Sequence, residues 1–392
     1  MSGYTKHVFE NDINGIKNDL RKYINNLILV LPFNYEFETI KCLLEKYYPY
    51  EWFIINEKYK YYCIKEACLK KKGKKSRFKM DEPDKIIQNL SIYKKIMSPE
   101  YIRNHQKSYS KEAIQKNQLK LSNERNSKIK KKYDKIQKAL MKTQQVEPEF
   151  LDVLIGLYDR KNTSQKDKVY IMHELQKYYC TKVIRFFSKK VDTEYNPQLR
   201  RMAFIHLQSL GFQPVLRKQK YMIIPSKNKK RREYLKEVYA KERYKIEAIP
   251  EELEYRIENS KEQLIKSFDF FISHSSSDYE TVQKLIYYLN SNGKNVYCDW
   301  INDNDYLKRK LVGEATLCVI KKRLQQSKAI IFVNSERSLK SNWCKYELNY
   351  FDELAKPIYI INGDEILNEK FEYYLVTKPW FKDNTYKELA LF

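Results

Sequence analysis

Apolar residues recur at helical spacing through the first 48 positions. Ile13, Ile16, Leu20, Tyr23, Ile24, Leu27 and Ile28 form one stripe, and Phe37, Ile40, Leu43, Leu44 and Tyr47 a second. Residues 9–31 and 36–48 therefore predict two amphipathic helices. The aromatic block from Trp52 to Cys63 reads as a strand pair or as a loop packed on helices. Ser98-Pro99-Glu100 is a helix start, and the segment it opens, 99–146, is polar nearly all round. Its main apolar points are Ile114, Leu119, Ile129, Tyr133, Ile136 and Leu140, a stripe too thin for a core, which predicts a solvated or partner-bound helix. Dense apolar spacing returns over 149–211, where Asn196-Pro197 opens the last helix and Gly211 ends it; this segment predicts a compact helical bundle. A charged helix over 227–248 and a connector helix over 250–266 complete the first two thirds.

From Phe268 the pattern changes to short apolar runs alternating with amphipathic helices. Strands are predicted at Phe268–Ser273, Val296–Trp300, Ala329–Asn334 and Pro357–Asn362. Helices are predicted at Tyr279–Asn290, stopped by Gly293, at Glu314–Gln326 and at Trp343–Leu354. Continuous apolar strands joined by helices imply a parallel sheet covered on both faces. The expected architecture is α + α/β, in four parts: a basic, mostly helical region 1–146, a helical bundle 147–250, a connector 251–266 and a parallel α/β domain 267–392.

Charge sharpens that division. The chain of 392 residues carries a net charge of +25, yet residues 267–392 hold 17 basic and 17 acidic side chains. The whole excess therefore lies in 1–266, with dense clusters at Lys70–Lys79 and Lys227–Arg232. Such patches suit nucleic acid, another polyanion or a protein partner. Lysine's large excess over arginine equally suits a solvated surface, and no nucleic-acid-binding signature accompanies it. The eight glycines are too scattered for a Walker loop or a GxGxxG turn, which removes P-loop ATPases and ordinary dinucleotide-cofactor folds. Seven cysteines without a CxxC pair argue against a disulfide framework or a zinc site and for reduced thiols in a cytoplasm. The first residues have no apolar signal core, and the longest apolar run, Leu27–Phe33, is too short to span a bilayer, so no membrane role is expected.

In a doubly wound sheet, ligands bind beyond the carboxyl ends of the strands where the strand order reverses. Here that crevice would take Ser273, His274, Ser275 and Asp278 from the first strand's exit and Asn334 and Ser335 from the third's. On the helix after the third strand, Trp343, Glu347, Tyr350, Phe351 and Leu354 share one stripe. A carboxylate among apolar residues costs free energy unless it is paired or functional.

The segments FDFFISHSSSD (268–278), VYCDW (296–300), KAIIFVNSERSLKSNWCKYEL (328–348) and KPWF (378–381) together resemble a TIR (Toll/interleukin-1 receptor) domain of bacterial form. The resemblance covers about 267–392 and implies a flavodoxin-like fold within a superfamily of scaffolds and NAD⁺-consuming enzymes. In the enzymatic members a glutamate on the helix after the third strand is catalytic; Glu347 matches it, and Trp343 matches an aromatic one turn earlier. Ile301–Gly313 occupies the place of the family's BB loop but lacks its Pro-Gly pair.

The resemblance implies cleavage of the nicotinamide–ribose bond, with NAD⁺ as substrate and with no cofactor or metal. One carboxylate can hold the ribose hydroxyls and face the oxocarbenium-like centre. Glu347 is the catalytic candidate, and Trp343, Ser273, His274, Ser275, Asp299 and Trp300 are candidates for substrate binding. The plainer alternatives are a salt-bridged Glu347, a core Trp343, a turn-capping His274 and a strand-end Asp299. Cys344 reads as a buried thiol, and His173 and His206 as core histidines.

The expected protein is a cytoplasmic immune sensor–effector that homo-oligomerises through TIR–TIR contacts, its region 1–266 meeting a phage component, protein or nucleic acid as trigger. Water or an internal adenine or ribose group as nucleophile decides between linear and cyclic ADP-ribose. The rival readings are a non-catalytic TIR scaffold and a nucleic-acid-binding protein with an inert TIR appendage.

Overall fold

Pro49 at a helix start and the row Trp52, Ile55, Tyr59 and Tyr62, spaced i, i+3, i+7 and i+10, turn the aromatic block into one long helix. The strand-pair and loop readings of that block both fail, because helical spacing outweighs its β-rich composition. The computed structural model describes residues 3–216, 218–219, 222, 224, 226–308 and 313–376. The KPWF segment (378–381) and residues 309–312 of the loop after the second strand lie outside them.

Backbone contacts divide the chain into two units, 1–137 with 208–213, and 138–207 with 214–392. Helices α1 (Tyr4–Ile28), α2 (Phe37–Tyr47), α3 (Pro49–Lys71), α4 (Pro83–Gln88), α5 (Ser91–Ile96), α6 (Pro99–Lys107) and α7 (Lys111–Leu140) build the first. Its core gathers Leu20, Ile24, Leu27 and Leu31 of the first stripe with Ile40, Leu44, Trp52, Ile55 and Ile87. The long polar segment is two helices. Within α7 only Leu121 is buried, and Arg125 anchors the helix by donating to the Tyr47 carbonyl and to Glu51, both at 2.7 Å. Gly211 adopts φ +88°, and a Cβ there would stand 2.7 Å from Ile136, so this helix stop needs glycine.

The second unit begins with α8 (Phe150–Asp159), α9 (Gln165–Leu175), α10 (Thr181–Thr193), α11 (Pro197–Ser209), α12 (Lys229–Lys241), α13 (Pro250–Asn259) and α14 (Lys261–Leu264). The alternating part follows as β1 (Phe268–Ser273), α15 (Tyr279–Ser291), β2 (Val296–Tyr297), α16 (Asp299–Asn302), α17 (Glu314–Gln325), β3 (Ser327–Asn334), α18 (Glu336–Leu339), α19 (Asn342–Glu353), β4 (Ile358–Asn362), α20 (Gly363–Leu367) and β5 (Tyr374–Leu375). The sheet order is β2-β1-β3-β4-β5, parallel as expected from β2 to β4, with β5 added antiparallel. The apolar strands feed two cores. On one face Val282, Leu285 and Leu289 of α15 and Ile366 of α20 pack on Ile272, Ile331 and Val333. On the other, Ile320 and Leu324 of α17 and Leu348 and Phe351 of α19 pack on Phe271, Ile330 and Phe332. The second strand is shorter than predicted, because the chain turns into α16 at Asp299.

The edge strand β2 is covered from the helical segment. Gln144 uses its side-chain amide as a surrogate peptide: Nε2 donates to the Val296 carbonyl, and Oε1 accepts from the Val296 N–H at 3.2 Å. Beneath it lies a buried ionic network. Arg323 grips Asp303 with two hydrogen bonds, Nε to Oδ2 at 2.8 Å and Nη2 to Oδ1 at 3.1 Å, and both side chains are fully buried. Gln263 links this pair to Glu174, accepting from Arg323 at 2.8 Å and donating to Glu174 at 2.9 Å, and Lys177 and Lys266 pair with Glu174. Burial alone would raise the Asp303 carboxyl, but Arg323, Lys177 and Lys266 outweigh it and hold it below the usual carboxylate range. Burial pushes the Lys266 ammonium down to about 8, against the pull of Glu174.

Candidate active site

Three chain segments converge beyond the carboxyl end of β1. Parallel register sets Ser273 opposite Phe332, so the exits of β1 and β3 lie side by side. Helix α19, N-capped by Ser341, which accepts from the Cys344 N–H, then returns across these exits. Its capping fixes the helical phase, and with it the direction of Glu347, one turn beyond Trp343.

Ser273 Oγ donates to Glu347 Oε2 at 2.6 Å. Ser273 is fully buried, whereas Glu347 is half-buried. The carboxyl is thus crowded by protein while the residue keeps a solvent-facing part. Burial pushes the Glu347 carboxyl up to about 8; the Ser273 hydrogen bond pulls the other way, and the nearby Asp299 charge adds to the rise. A carboxyl poised near neutrality at a strand-exit crevice is a candidate for charge-stabilising chemistry.

The other candidates sort by contact. His274 bonds the Ile272 carbonyl through Nδ1 at 2.9 Å and accepts at Nε2 from the Trp300 indole N–H at 3.0 Å. Asp299 Oδ1 accepts from the Trp300 backbone N–H at 2.9 Å and lies 3.7 Å from His274 Nε2. His274, Asp299 and Trp300 therefore form one cluster beside Ser273 and Glu347. Ser275 is committed to the turn after β1, its hydroxyl accepting from the Ser277 N–H at 3.4 Å and its carbonyl from the Asp278 N–H at 2.9 Å. Trp343 is half-buried, packed against the α17–α19 core and edge-on to Tyr346.

Tyr279, expected from its spacing only as the first residue of a helix, joins the cluster of His274, Asp299 and Trp300. Its ring lies 4.6 Å from that of Trp300, tilted by 43°. It also lines a cleft of about 480 Å³ at the exits of β1, β3 and β4, with Ser277, Asp278, Ser335, Arg337 and Gly363. The signal was an aromatic in the first turn after a strand exit, which spacing alone cannot separate from a core position.

His274, Cys298 and Asp299 place donor atoms within 4.8 Å of one another. Both His274 nitrogens are already engaged, and burial pushes the Cys298 thiol well above its ordinary value. The trio suits a hydrogen-bonded cluster better than a cation. Burial likewise pushes the Cys344 thiol up to about 12, which makes it a poor nucleophile. His206 is buried beside Phe187, and burial lowers its imidazole to about 4.

A sheet of order β2-β1-β3-β4-β5, parallel from β2 to β4 and covered by helices on both faces, defines a flavodoxin-like domain. The TIR domain family matches residues 270–368. Along nearly its whole length the chain is similar to a protein of Cytobacillus dafuensis named putative cyclic ADP-D-ribose synthase TIR2, 38% identical over 370 residues and 94% of each chain. The chain belongs to the TIR-domain protein family. It is also similar to a Bacillus cereus (strain MSX-D12) protein named probable 3′ cyclic ADP-D-ribose synthase ThsB′, 36% identical over 96 residues, which are 24% of this chain and 49% of that one. No solved structure matches the chain. Among the described residues no helix is long and apolar enough to cross a membrane.

Proposed function

We propose that the TIR domain breaks the nicotinamide–ribose bond of NAD⁺ and closes the remainder into a cyclic ADP-ribose. The observation that carries this reading is the Glu347 carboxyl, raised to about 8 by burial and tethered to Ser273. The cyclic product is supported by the names of the two relatives.

The C1′–N bond breaks with its electron pair leaving on nicotinamide, which departs neutral. The positive charge passes from the pyridinium to the ribose, and there the ionised Glu347 stabilises it while accepting hydrogen bonds from the ribose hydroxyls. Ser273 holds one carboxylate oxygen in place. A nucleophile of the same molecule, an adenine nitrogen or a ribose hydroxyl, then forms the new bond at C1′ and gives the cyclic product. A hydroxyl nucleophile also releases its proton. Water in its place gives linear ADP-ribose and a proton.

In the cell this chain acts as an immune-type sensor–effector in the cytoplasm. Its helical part receives the trigger, and assembly of TIR domains turns the reaction on. The test is incubation of assembled protein with NAD⁺, following nicotinamide release and the nucleotide product by mass spectrometry, beside Glu347→Gln. The expected result is a cyclic ADP-ribose from wild type and no nicotinamide from the variant. No release from any assembled form of the wild type would return the chain to the non-catalytic scaffold reading.

A further inference from the structure

We propose that His274 is a positioning residue for Trp300, and that Trp300 and Tyr279 form the surface on which the cationic pyridinium ring of the substrate stacks, with Asp299 alongside. The proposal rests on the NAD⁺-cleaving reading and adds how the leaving group is recognised.

The Ile272 carbonyl can only accept, so His274 must carry its proton on Nδ1 to bond it at 2.9 Å. The indole N–H of Trp300 can only donate, so it needs the free lone pair on Nε2, 3.0 Å away. One neutral tautomer satisfies both partners. The His274 side chain is 6% exposed, so the anchor is fixed within the fold while its client remains half-buried at the surface. This bond links the exit of β1 to the start of α16 and sets the indole orientation.

The surface has a definite electrical character. Tyr279 is 39% exposed, and its ring and that of Trp300 are tilted against each other at 4.6 Å, presenting aromatic π-density. Beside them the Asp299 side chain is 51% exposed, with its Oδ1 held by the Trp300 N–H. Two aromatic rings, a neutral imidazole and a carboxylate attract a flat cation more than a flat neutral ring. Cation–π attraction of this kind favours the cation by about 2- to 30-fold. The oxidised nicotinamide ring is such a cation, and the released nicotinamide is not. Recognition therefore weakens when the bond breaks, which favours release of the leaving group. Through Tyr279 the surface adjoins the cleft of about 480 Å³ that holds Ser335, Arg337 and Gly363.

The test uses full-length protein labelled with 5-fluorotryptophan, whose four tryptophans keep the fluorine spectrum simple, with the Trp300 signal assigned by Trp300→Phe. The probes are 1-methylnicotinamide, a cation, and nicotinamide, its neutral counterpart, with affinities read by calorimetry. The cation is expected to move the Trp300 signal and to bind about 5- to 10-fold tighter than nicotinamide. His274→Phe keeps a ring without an acceptor. It should shift the Trp300 signal before any probe is added and remove most of the preference. His274→Gln, whose amide oxygen can accept the indole N–H, should restore part of it. If His274→Phe does not fold, Trp300→Phe, a ring without the N–H, should lose the same preference in calorimetry.

Equal binding of the two probes, or a Trp300 signal unmoved by saturating cation, overturns the proposal. So does His274→Phe that binds the cation as wild type does. Binding needs no turnover, so the two readings fail separately. Cation-induced movement of Trp300 without NAD⁺ cleavage removes the enzyme and leaves a cation site. Cleavage with Trp300 unmoved leaves the enzyme and removes the aromatic surface.

Discussion

The hydroxyl of Ser273 and the carboxyl of Glu347 meet at 2.6 Å, although 74 residues separate them in the chain. The contact joins the last residue of β1 to the middle of α19. It opposes the burial that would otherwise keep Glu347 protonated still further up the pH scale.

Removing this hydroxyl has a signed consequence. Ser273→Ala should raise the pH midpoint of kcat/KM, because the hydrogen bond favours the ionised carboxyl. Wild-type kcat/KM should climb with pH and level off above about 8, where the free enzyme's Glu347 is ionised. The variant's curve should lie to the right, with a loss of about tenfold near pH 7 that shrinks at pH 9. A pH–rate profile of nicotinamide release checks both; an unshifted midpoint would remove Ser273 from the site's electrostatics.

The same carboxyl makes stability depend on pH. Its folded pKa, about 8, lies above the ordinary 4.5, so between these values the folded state keeps a proton that the unfolded chain releases. Stability therefore falls as pH rises through that window, by at most about 1.4 kcal/mol per unit. One exchanged proton sets that ceiling, and the slope approaches it only midway between the two values. Glu347→Gln abolishes the titration, so its thermal midpoint should match wild type near pH 4.5 and exceed it above pH 8.

Asp303 and Arg323 predict the opposite kind of failure. Asp303→Asn leaves the Arg323 guanidinium buried without its charge partner and should cost about 3–5 kcal/mol in denaturant unfolding. Because the wild-type Asp303 carboxyl is held below its ordinary range, the stability it supplies is present above that range and is lost as pH falls through the folded value. The gap between wild type and variant should thus narrow in acid. Replacing both residues by apolar side chains of similar size should cost less than Asp303→Asn alone.

Gln144→Leu tests the covered sheet edge. The change preserves most of the side-chain volume but leaves the Val296 N–H and carbonyl without their surrogate peptide. A loss of about 1–3 kcal/mol is expected, with faster hydrogen exchange at the Val296 amide. Unchanged exchange there would mean that another group covers β2.

The strands and helices of 268–362 were legible because an apolar period is a local property of the chain. Phe268–Ser273 is the strand that its continuous apolar run predicts. Where composition and period disagreed, as over Trp52–Cys63, the period was the better guide, since Pro49 and the Trp52–Ile55–Tyr62 row bury one helical face. Val296–Trp300 was read too long because Asp299 accepts from the next backbone N–H and starts a helix, a turn signal weaker than the apolar run before it. At the site, the anomaly of Glu347 in an apolar stripe was visible. The contact of Tyr279 with Trp300 was not, because the two rings come from separate segments of the chain.

From its sequence alone, this protein declares a charged helical part, a neutral α/β part and one misplaced carboxyl, because side-chain period and local charge are set by neighbours along the chain. Tertiary structure decided what that carboxyl touches. It also decided that Glu174, Lys177, Lys266, Asp303 and Arg323, which no local pattern singles out, are closed into a buried network beneath β2. Burial and pairing depend on crossovers that bring residues tens of positions apart within 3 Å, and it is this proximity, absent from any local pattern, that sets their charge and chemistry.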